Sequence, residues 1–268
     1  MKVLREIRVN LDSKQIERLK LFGVKDITHN GLYNICFTDN EEVFKMIEPY
    51  LTEWDAWIIK YASFTDEEIL SAQYCIKQGM NTCGYPKPDK DFGYINLTYN
   101  TEHYCNNCGC GAVQKDSFRI SKIPKVKICE LGWVYDELFV HRDIFEQLLK
   151  PLGIKCRDVK KFKDDSIIDS VVQIDIPETN EQLEIPDDYL FSNEYETSIC
   201  PICGQIKYDP KIYGFFPLHK KPIAHIYKGF EYFGSGHSAH KKIYISSQLR
   251  DILLKNKLMN LHWLSPCK

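Results

Sequence analysis

A chain of 268 residues is long enough to bury a core without help from disulfides. Its 35 Lys and Arg stand against 37 Asp and Glu, so no net field draws it onto nucleic acid or a membrane, and any binding surface must be local. Residues 1–10 mix charged and apolar side chains without a signal-peptide run, and no later stretch approaches the roughly 18 apolar residues of a membrane span, so a cytoplasmic location is expected.

In chain order, residues 3–11 carry apolar side chains at Val3, Ile7, Val9 and Leu11, a partial strand alternation. Ser13 then opens a helical stretch through Ile16 and Leu19, closed by Gly23. Two strands over 24–28 and 32–37 flank Asn30-Gly31, a dipeptide suited to a type I′ hairpin turn because both residues tolerate positive φ. Asp39 is placed to cap a helix through Val43, Phe44, Ile47 and Leu51, which Pro49 should bend or shorten, and residues 56–61 supply a last strand. Strand, helix, strand, strand, helix, strand is the split βαβ order, so residues 1–63 are expected to form a ferredoxin-like α+β domain.

Thr65 with Glu68 resembles a capping box and starts a helix predicted to run through Ile69, Leu70, Tyr74 and Ile76 at the boundary of a second domain, residues 64–268. Residues 84–99, rich in Pro, Gly, Asp and aromatic side chains, read as an ordered but irregular approach to the first cysteine pair. Beyond it lies an internal repeat. Residues 138–159 align without gaps to 243–264, matching Leu148-Leu149-Lys150 to Leu253-Leu254-Lys255, Phe139 to Tyr244 and Ile144 to Leu249. Each copy reads strand, helix, strand, with His141 or Asp143 and Ser246 or Ser247 near the helix starts and Gly153 or Asn256 near the ends. A C-x-x-C-G stands upstream of both, so the repeat units, about 104–160 and 199–265, are each a knuckle followed by strand, helix and strand.

The cysteine pairs carry the chemistry. A C-x-x-C-G turn points two sulfurs to one side, and the glycine permits the close backbone approach that turns amide hydrogens toward thiolates. Two knuckles supply four thiolates, a closed structural zinc site with no open position for water or substrate, so Cys105, Cys108, Cys200 and Cys203 are the expected ligands. A redox pair is the weaker reading, because such pairs sit at a strand-to-helix junction and here the helices come well downstream. An iron–sulfur cluster could use the same sulfurs. Two separate zincs would need further ligands from His103, Cys110, His219 or His225. Of the 11 cysteines, Cys36, Cys75, Cys129 and Cys156 sit among apolar neighbours and are expected to be small buried hydrophobes, with Cys83, Cys110 and Cys267 unassigned.

His237-Ser238-Ala239-His240 follows Gly234 and Gly236, but it lacks the internal acid of H-E-x-x-H and reads as a structural or binding loop. Asp164-Asp165, Asp187-Asp188, Lys220-Lys221 and Lys241-Lys242 read as solvated surface.

Two C-x-x-C-G motifs, each followed by a strand and helix of the type Leu-Phe-Val-His-Arg and Ile-Tyr-Ile-Ser-Ser, resemble the double-CXXCG proteins over residues 65–268. The segments Tyr104-Cys105-Asn106-Asn107-Cys108-Gly109, Gln114-Lys115, Trp133-Val134-Tyr135-Asp136-Glu137-Leu138-Phe139-Val140 and Phe233-Gly234-Ser235-Gly236-His237-Ser238 resemble a bacterial branch of that group. The resemblance implies a non-enzymatic, zinc-stabilised protein-binding module, with some members thought to be immunity proteins that neutralise a toxin. The N-terminal domain departs from the simpler members, which reach the first knuckle soon after their start. Thirteen per cent aromatic residues suit a binding surface, for which Tyr232, His237 and His240 are the candidates. Nucleic-acid binding ranks second, since no RNP-like aromatic motif or basic stripe accompanies the zinc motifs. A metal-dependent hydrolase at His237 and His240 ranks third.

Overall fold

A computed structural model describes residues 1–38, 41–184, 198–208, 214–234 and 236–268; Asp39 and Asp187-Asp188 lie outside them. The chain is α+β with sheets predominating, and it packs as two units, one formed chiefly by Met1–Thr65 and the other by most of the residues from Asp66 onward.

The first unit runs β1 (Lys2–Val9), α1 (Ser13–Leu21), β2 (Ile27–Asn30), β3 (Leu32–Thr38), α2 (Glu42–Leu51) and β4 (Trp57–Ser63). Its strands form an antiparallel sheet in the order β2-β3-β1-β4. Strand alternation brings Ile7 and Val9 together with Ile35 and Phe37, and this apolar face packs with Leu19 of α1 and Phe44, Ile47 and Leu51 of α2 in a single buried cluster. Each such side chain contributes about 1.5–3 kcal/mol relative to exposure. Helix α1 is capped by Asp12, whose carboxylate accepts from the Gln15 N–H while the Gln15 side chain accepts from the Asp12 N–H. Pro49 is accommodated within α2.

The expected type I′ turn is corrected. Gly31 has φ +79° but Asn30 has no positive φ, and the register pairs His29 with Tyr33 and Asn30 with Leu32, leaving Gly31 alone at the tip. An odd connection needs only one left-handed residue, and glycine takes that place without a Cβ penalty.

The second unit opens with α3 (Asp66–Ser71), much shorter than predicted; Tyr74 and Ile76 lie in a strand, β5 (Tyr74–Lys77). The helix stops because its last carbonyls are taken by a distant side chain: the Arg250 guanidinium donates to Ile69 O at 2.7 Å, Leu70 O at 2.7 Å and Ala72 O at 2.8 Å. Next come α4 (Tyr94–Thr98), β6 (Tyr99–Asn100), β7 (Val113–Gln114), β8 (Arg119–Ile120), β9 (Ile128–Leu131) and β10 (Val134–His141). A composite helical segment over 142–152, containing the short α5 (Arg142–Ile144), ends at Gly153 with φ +75°. The unit continues through β11 (Lys155–Lys161), β12 (Ile167–Asp175), β13 (Ser198–Ile199), β14 (Ile206–Tyr208), β15 (Ile226–Phe233) and β16 (His240–Ser246), then α6 (Ser247–Lys255), capped by the Ser246 side chain, and β17 (Leu264–Pro266).

Two larger sheets result, ordered β8-β11-β12-β10-β9 and β13-β14-β15-β16-β5-β17. They share a pattern. In the run β9-β10-β12-β11 and in the run β15-β16-β5-β17, every neighbouring pair is antiparallel. Each aligned repeat thus contributes a strand, a helix and a parallel returning strand, with one antiparallel strand inserted between them. That inserted strand follows the repeat in the first sheet and comes from far upstream in the second. Phe118, Phe139, Val159 and Val171 bury the first sheet, and Tyr227 stacks on Tyr244 at 4.8 Å within the second.

Candidate metal centre

Both knuckles sit at the tips of two-stranded stems, β6 with β7 and β13 with β14. Their backbones close in the same way. Cys105 N donates to Cys110 O at 2.9 Å and Gly109 N to Cys105 O at 2.8 Å; Cys200 N donates to Gln205 O at 3.0 Å and Gly204 N to Cys200 O at 2.9 Å. Gly109 and Gly204 hold φ +78° and +72°, the left-handed conformation this turn requires.

The turns bring the four sulfurs together. Cys105 Sγ lies 3.7 Å from Cys200 Sγ, Cys108 Sγ lies 3.6 Å from Cys203 Sγ, and all four fall within 4.8 Å of one another. Four sulfurs each about 2.3 Å from a central ion at tetrahedral angles stand about 3.8 Å apart, so the cage fits one metal ion of zinc size. Cys105, Cys108 and Cys200 are buried and Cys203 is exposed at the rim. The Asn107 amide donates to Cys200 Sγ at 3.3 Å.

Hydrogen bonds from the Cys203 N–H, the Asn107 amide and the Ile202 N–H pull the Cys200 thiol down to about 6. Burial pushes Cys108 up to about 11. At Cys203 the Gln205 N–H acts downward, but local desolvation against the other knuckle and hydrogen bonding with the sulfurs of Cys108, Cys200 and Cys105 carry it up to about 12. Near neutral pH a bound dication must therefore displace at least the protons of Cys108 and Cys203. Protons compete with the metal, so apparent affinity should fall at least about 100-fold for each unit of pH lost between about pH 8 and pH 7. Competition with a calibrated chelator reads this directly; a slope of one proton or fewer would contradict it.

The two glycines have different surroundings. A methyl group at Gly109 would stand 2.2 Å from the His237 carbonyl oxygen, whereas one at Gly204 meets nothing within 4 Å. Gly204→Ala should cost only the left-handed strain, about 1–2 kcal/mol. Gly109→Ala adds a clash of about 1–3 kcal/mol more, so its thermal midpoint should be clearly the lower of the two. Equal midpoints would show that the segment carrying His237 does not rest on this knuckle.

The other expected positions fall elsewhere. Among the described residues the four cysteines are the sole group of three or more potential ligands. His103 meets Gly111 through its carbonyl, His219 is buried 3.3 Å from the Tyr227 hydroxyl, and His225 Nδ1 lies 2.9 Å from Ser246 Oγ. Cys110 is buried beside the quartet without joining it. Of the loop candidates, His237 is exposed, with Nδ1 2.8 Å from Asn106 O. Tyr232 is half-buried against the cysteines, its hydroxyl accepting from Gly111 N at 3.3 Å. His240 is half-buried, its imidazole held to about 4 by desolvation and then by the Lys242 charge, and its Nδ1 has no hydrogen-bond partner. Two expectations are corrected: Lys242, read as surface, is buried, and Cys36, read as a buried hydrophobe, is exposed; Asp165 is exposed as expected and pairs with Arg119. All 11 cysteines are free thiols.

Sequence reasoning missed a polar cleft of about 290 Å³ beside the first knuckle. On its wall the buried Glu137 pairs with the buried Lys228 and accepts from Gln173 Nε2 at 2.9 Å, while Gln173 and Gln114 exchange amide bonds of 2.7 and 2.9 Å. Also unforeseen is an exposed aromatic trio, in which Trp133 lies 4.4 Å from Tyr85 and 4.6 Å from Phe92. Trp133 and Phe92 hold φ of +70° and +52°, a local strain that surrounding packing must offset. The hints in the chain were the aromatic-rich stretch 84–99, which holds Tyr85 and Phe92, and the segments resembling the bacterial branch, which hold Gln114, Trp133, Asp136 and Glu137.

Fold and site together define a sheet-rich α+β protein with a four-cysteine group able to hold one metal ion. No family model, no curated protein and no solved structure matches this chain. No helix among the described residues is long and apolar enough to cross a membrane.

Proposed function

We propose that this is a double-CXXCG protein, with a ferredoxin-like domain over residues 1–63 and a zinc-binding domain over 64–268, that acts in the cytoplasm by stoichiometric binding to another protein. The carrying observation is the four-sulfur cage, whose S···S distances of 3.6 and 3.7 Å match a closed tetrahedron. Four thiolates around zinc leave no position for water or substrate, so the metal's role is to hold two knuckles together. The sheet order β2-β3-β1-β4 supports the ferredoxin-like reading, and the shared strand pattern of the two large sheets supports the duplication. Loops on a rigid, metal-held scaffold are common recognition sites, and exposed His237 sits on such a loop. The resemblance supports a bacterial toxin as that partner, which the protein would neutralise as an immunity factor.

The test is a pull-down from a bacterial host that encodes this chain, comparing wild type with His237→Ala and Tyr232→Ala/His237→Ala, followed by the mass of the complex. A one-to-one complex weakened in the variants is expected. Identical recovery by all three would reject this surface. Catalytic processing of a substrate by partner-free wild type, or salt-dependent capture of nucleic acid in place of protein, would reject the binding role.

A further inference from the structure

Lys207 is a lysine in a place where lysines are rarely found. It lies in β14, the stem of the second knuckle, and is 3% exposed. No carboxylate among the described residues pairs with it. Its ammonium is held by three backbone carbonyls, of Cys108 at 2.9 Å, of Ser238 at 3.1 Å and of Gly236. Carbonyl dipoles satisfy the three N–H donors but carry no compensating charge, and a buried ammonium without an anion is strongly disfavoured. Four thiolates around a dication carry a net charge of minus two. One of the three carbonyls belongs to a cysteine of that quartet.

The same three bonds tie two parts of the chain together. Cys108 belongs to the first knuckle, whereas Gly236 and Ser238 belong to the segment that carries His237. Two more contacts run alongside: His237 Nδ1 meets Asn106 O at 2.8 Å, and the His237 carbonyl occupies the space left by the absent Cβ of Gly109. The segment is thus laid on the knuckle around a buried positive charge.

We propose that Lys207 is the counter-charge of the metal–thiolate centre, and that through it metal occupancy fixes the segment Gly236–Ala239 as an interaction surface present only in the loaded protein. This rests on the zinc reading above. With metal bound, the anionic centre stabilises the ammonium and the ammonium holds the two loop carbonyls. When the metal leaves, the two knuckles are no longer joined, the three bonds of Lys207, which run from the stem of the second knuckle to the first knuckle and to the segment, lose the frame that aligns them, and the cation and the segment it holds move toward water. Linkage is reciprocal: a partner that binds the placed segment also tightens the metal.

The experiment uses full-length protein as wild type, Lys207→Met and Lys207→Arg, each with zinc and after chelation. Zinc release to a chromophoric chelator and amide hydrogen exchange over residues 236–241 are measured together. Lys207→Met should release zinc at least about 10-fold faster and lose protection in 236–241 even when loaded, while protection in the second knuckle stays at the wild-type level. Lys207→Arg, which keeps the charge, should restore most of the retention. Chelated wild type should lose the same loop protection. Zinc retention and loop protection unchanged in Lys207→Met would overturn the proposal, as would unchanged loop protection in chelated wild type, an arm that stands even if the methionine variant does not fold. Wild type that binds no zinc overturns the metal reading and this coupling together; loaded wild type with an indifferent Lys207→Met overturns the coupling alone.

Discussion

Replacing Cys203 by serine should take zinc from one ion per chain to nearly none and lower the thermal midpoint by about 10–20 °C. A serine hydroxyl does not ionise near neutral pH and is a poor zinc ligand, so three sulfurs are left around an open position. Structural zinc contributes about 10–16 kcal/mol in isolated fingers, where it is the main reason the peptide folds. Here two large sheets have apolar cores of their own, so a smaller loss is expected, on the order of 5 kcal/mol, and each kcal/mol moves the midpoint of a domain this size by about 2–4 °C. Cys203 is the informative choice because it is the exposed member of the quartet, and its substitution disturbs little packing. Cys110→Ser is the control: that thiol is buried among the ligands but outside the quartet, so the variant should keep its metal. Elemental analysis of untagged protein and differential scanning calorimetry decide. Zinc retained in Cys203→Ser, or iron found in the wild type, would sink the shared four-thiolate site.

Lys228→Met should destabilise the second unit by about 3–5 kcal/mol at neutral pH, because it strands the Glu137 carboxylate where both side chains are less than a tenth exposed. Burial already pushes the Glu137 carboxyl above its usual range against the downward pull of Lys228, and without that ammonium it would rise further. A carboxyl raised in the folded state favours the folded state only when protonated, so its cost is present above the raised value and disappears below the ordinary value of about 4.3. The deficit of Lys228→Met should therefore shrink as the pH falls from about 7 to about 5. Lys228→Met with Glu137→Gln removes both charges while leaving an amide oxygen for Gln173 Nε2, and should recover most of the loss. Urea unfolding of the four proteins at both pH values completes the cycle. A deficit that is additive in the double variant and indifferent to pH would show that the two side chains stabilise by packing and not as an ion pair.

Short-range chemistry was legible before any coordinates. Each C-x-x-C-G states its own geometry, because the positive φ of Gly109 and Gly204 and the paired sulfurs are consequences of five consecutive residues. Alternation and caps placed β1, α1, β3 and α2 near their observed bounds. The gapless alignment of two helices located segments that lie in sheets of matching pattern. Where a reading failed, the missing partner was remote. Tyr74 and Ile76 fit a helical period as well as a strand, and they became β5 because β16 and β17, some two-thirds of the chain away, offered edges on both sides, while Arg250 ended the helix before them. Asn30-Gly31 marked a turn, but the type depended on the register of the strands it joins.

Charge placement belonged wholly to the tertiary structure. Lys207, Lys228 and Lys242 are indistinguishable in the chain from lysines on the surface, yet all three are buried. A charged side chain enters a core only where groups from elsewhere satisfy it: Cys108, Gly236 and Ser238 for Lys207, Glu137 for Lys228. Such partners stand 29 to 99 positions away from Lys207 and 91 from Lys228, a separation at which no residue spacing carries information. Residue type and local spacing alone marked out the four-sulfur site; which lysines, carbonyls and loop residues surround it was settled by folding, because electrostatic compensation in a core acts through space and not along the chain.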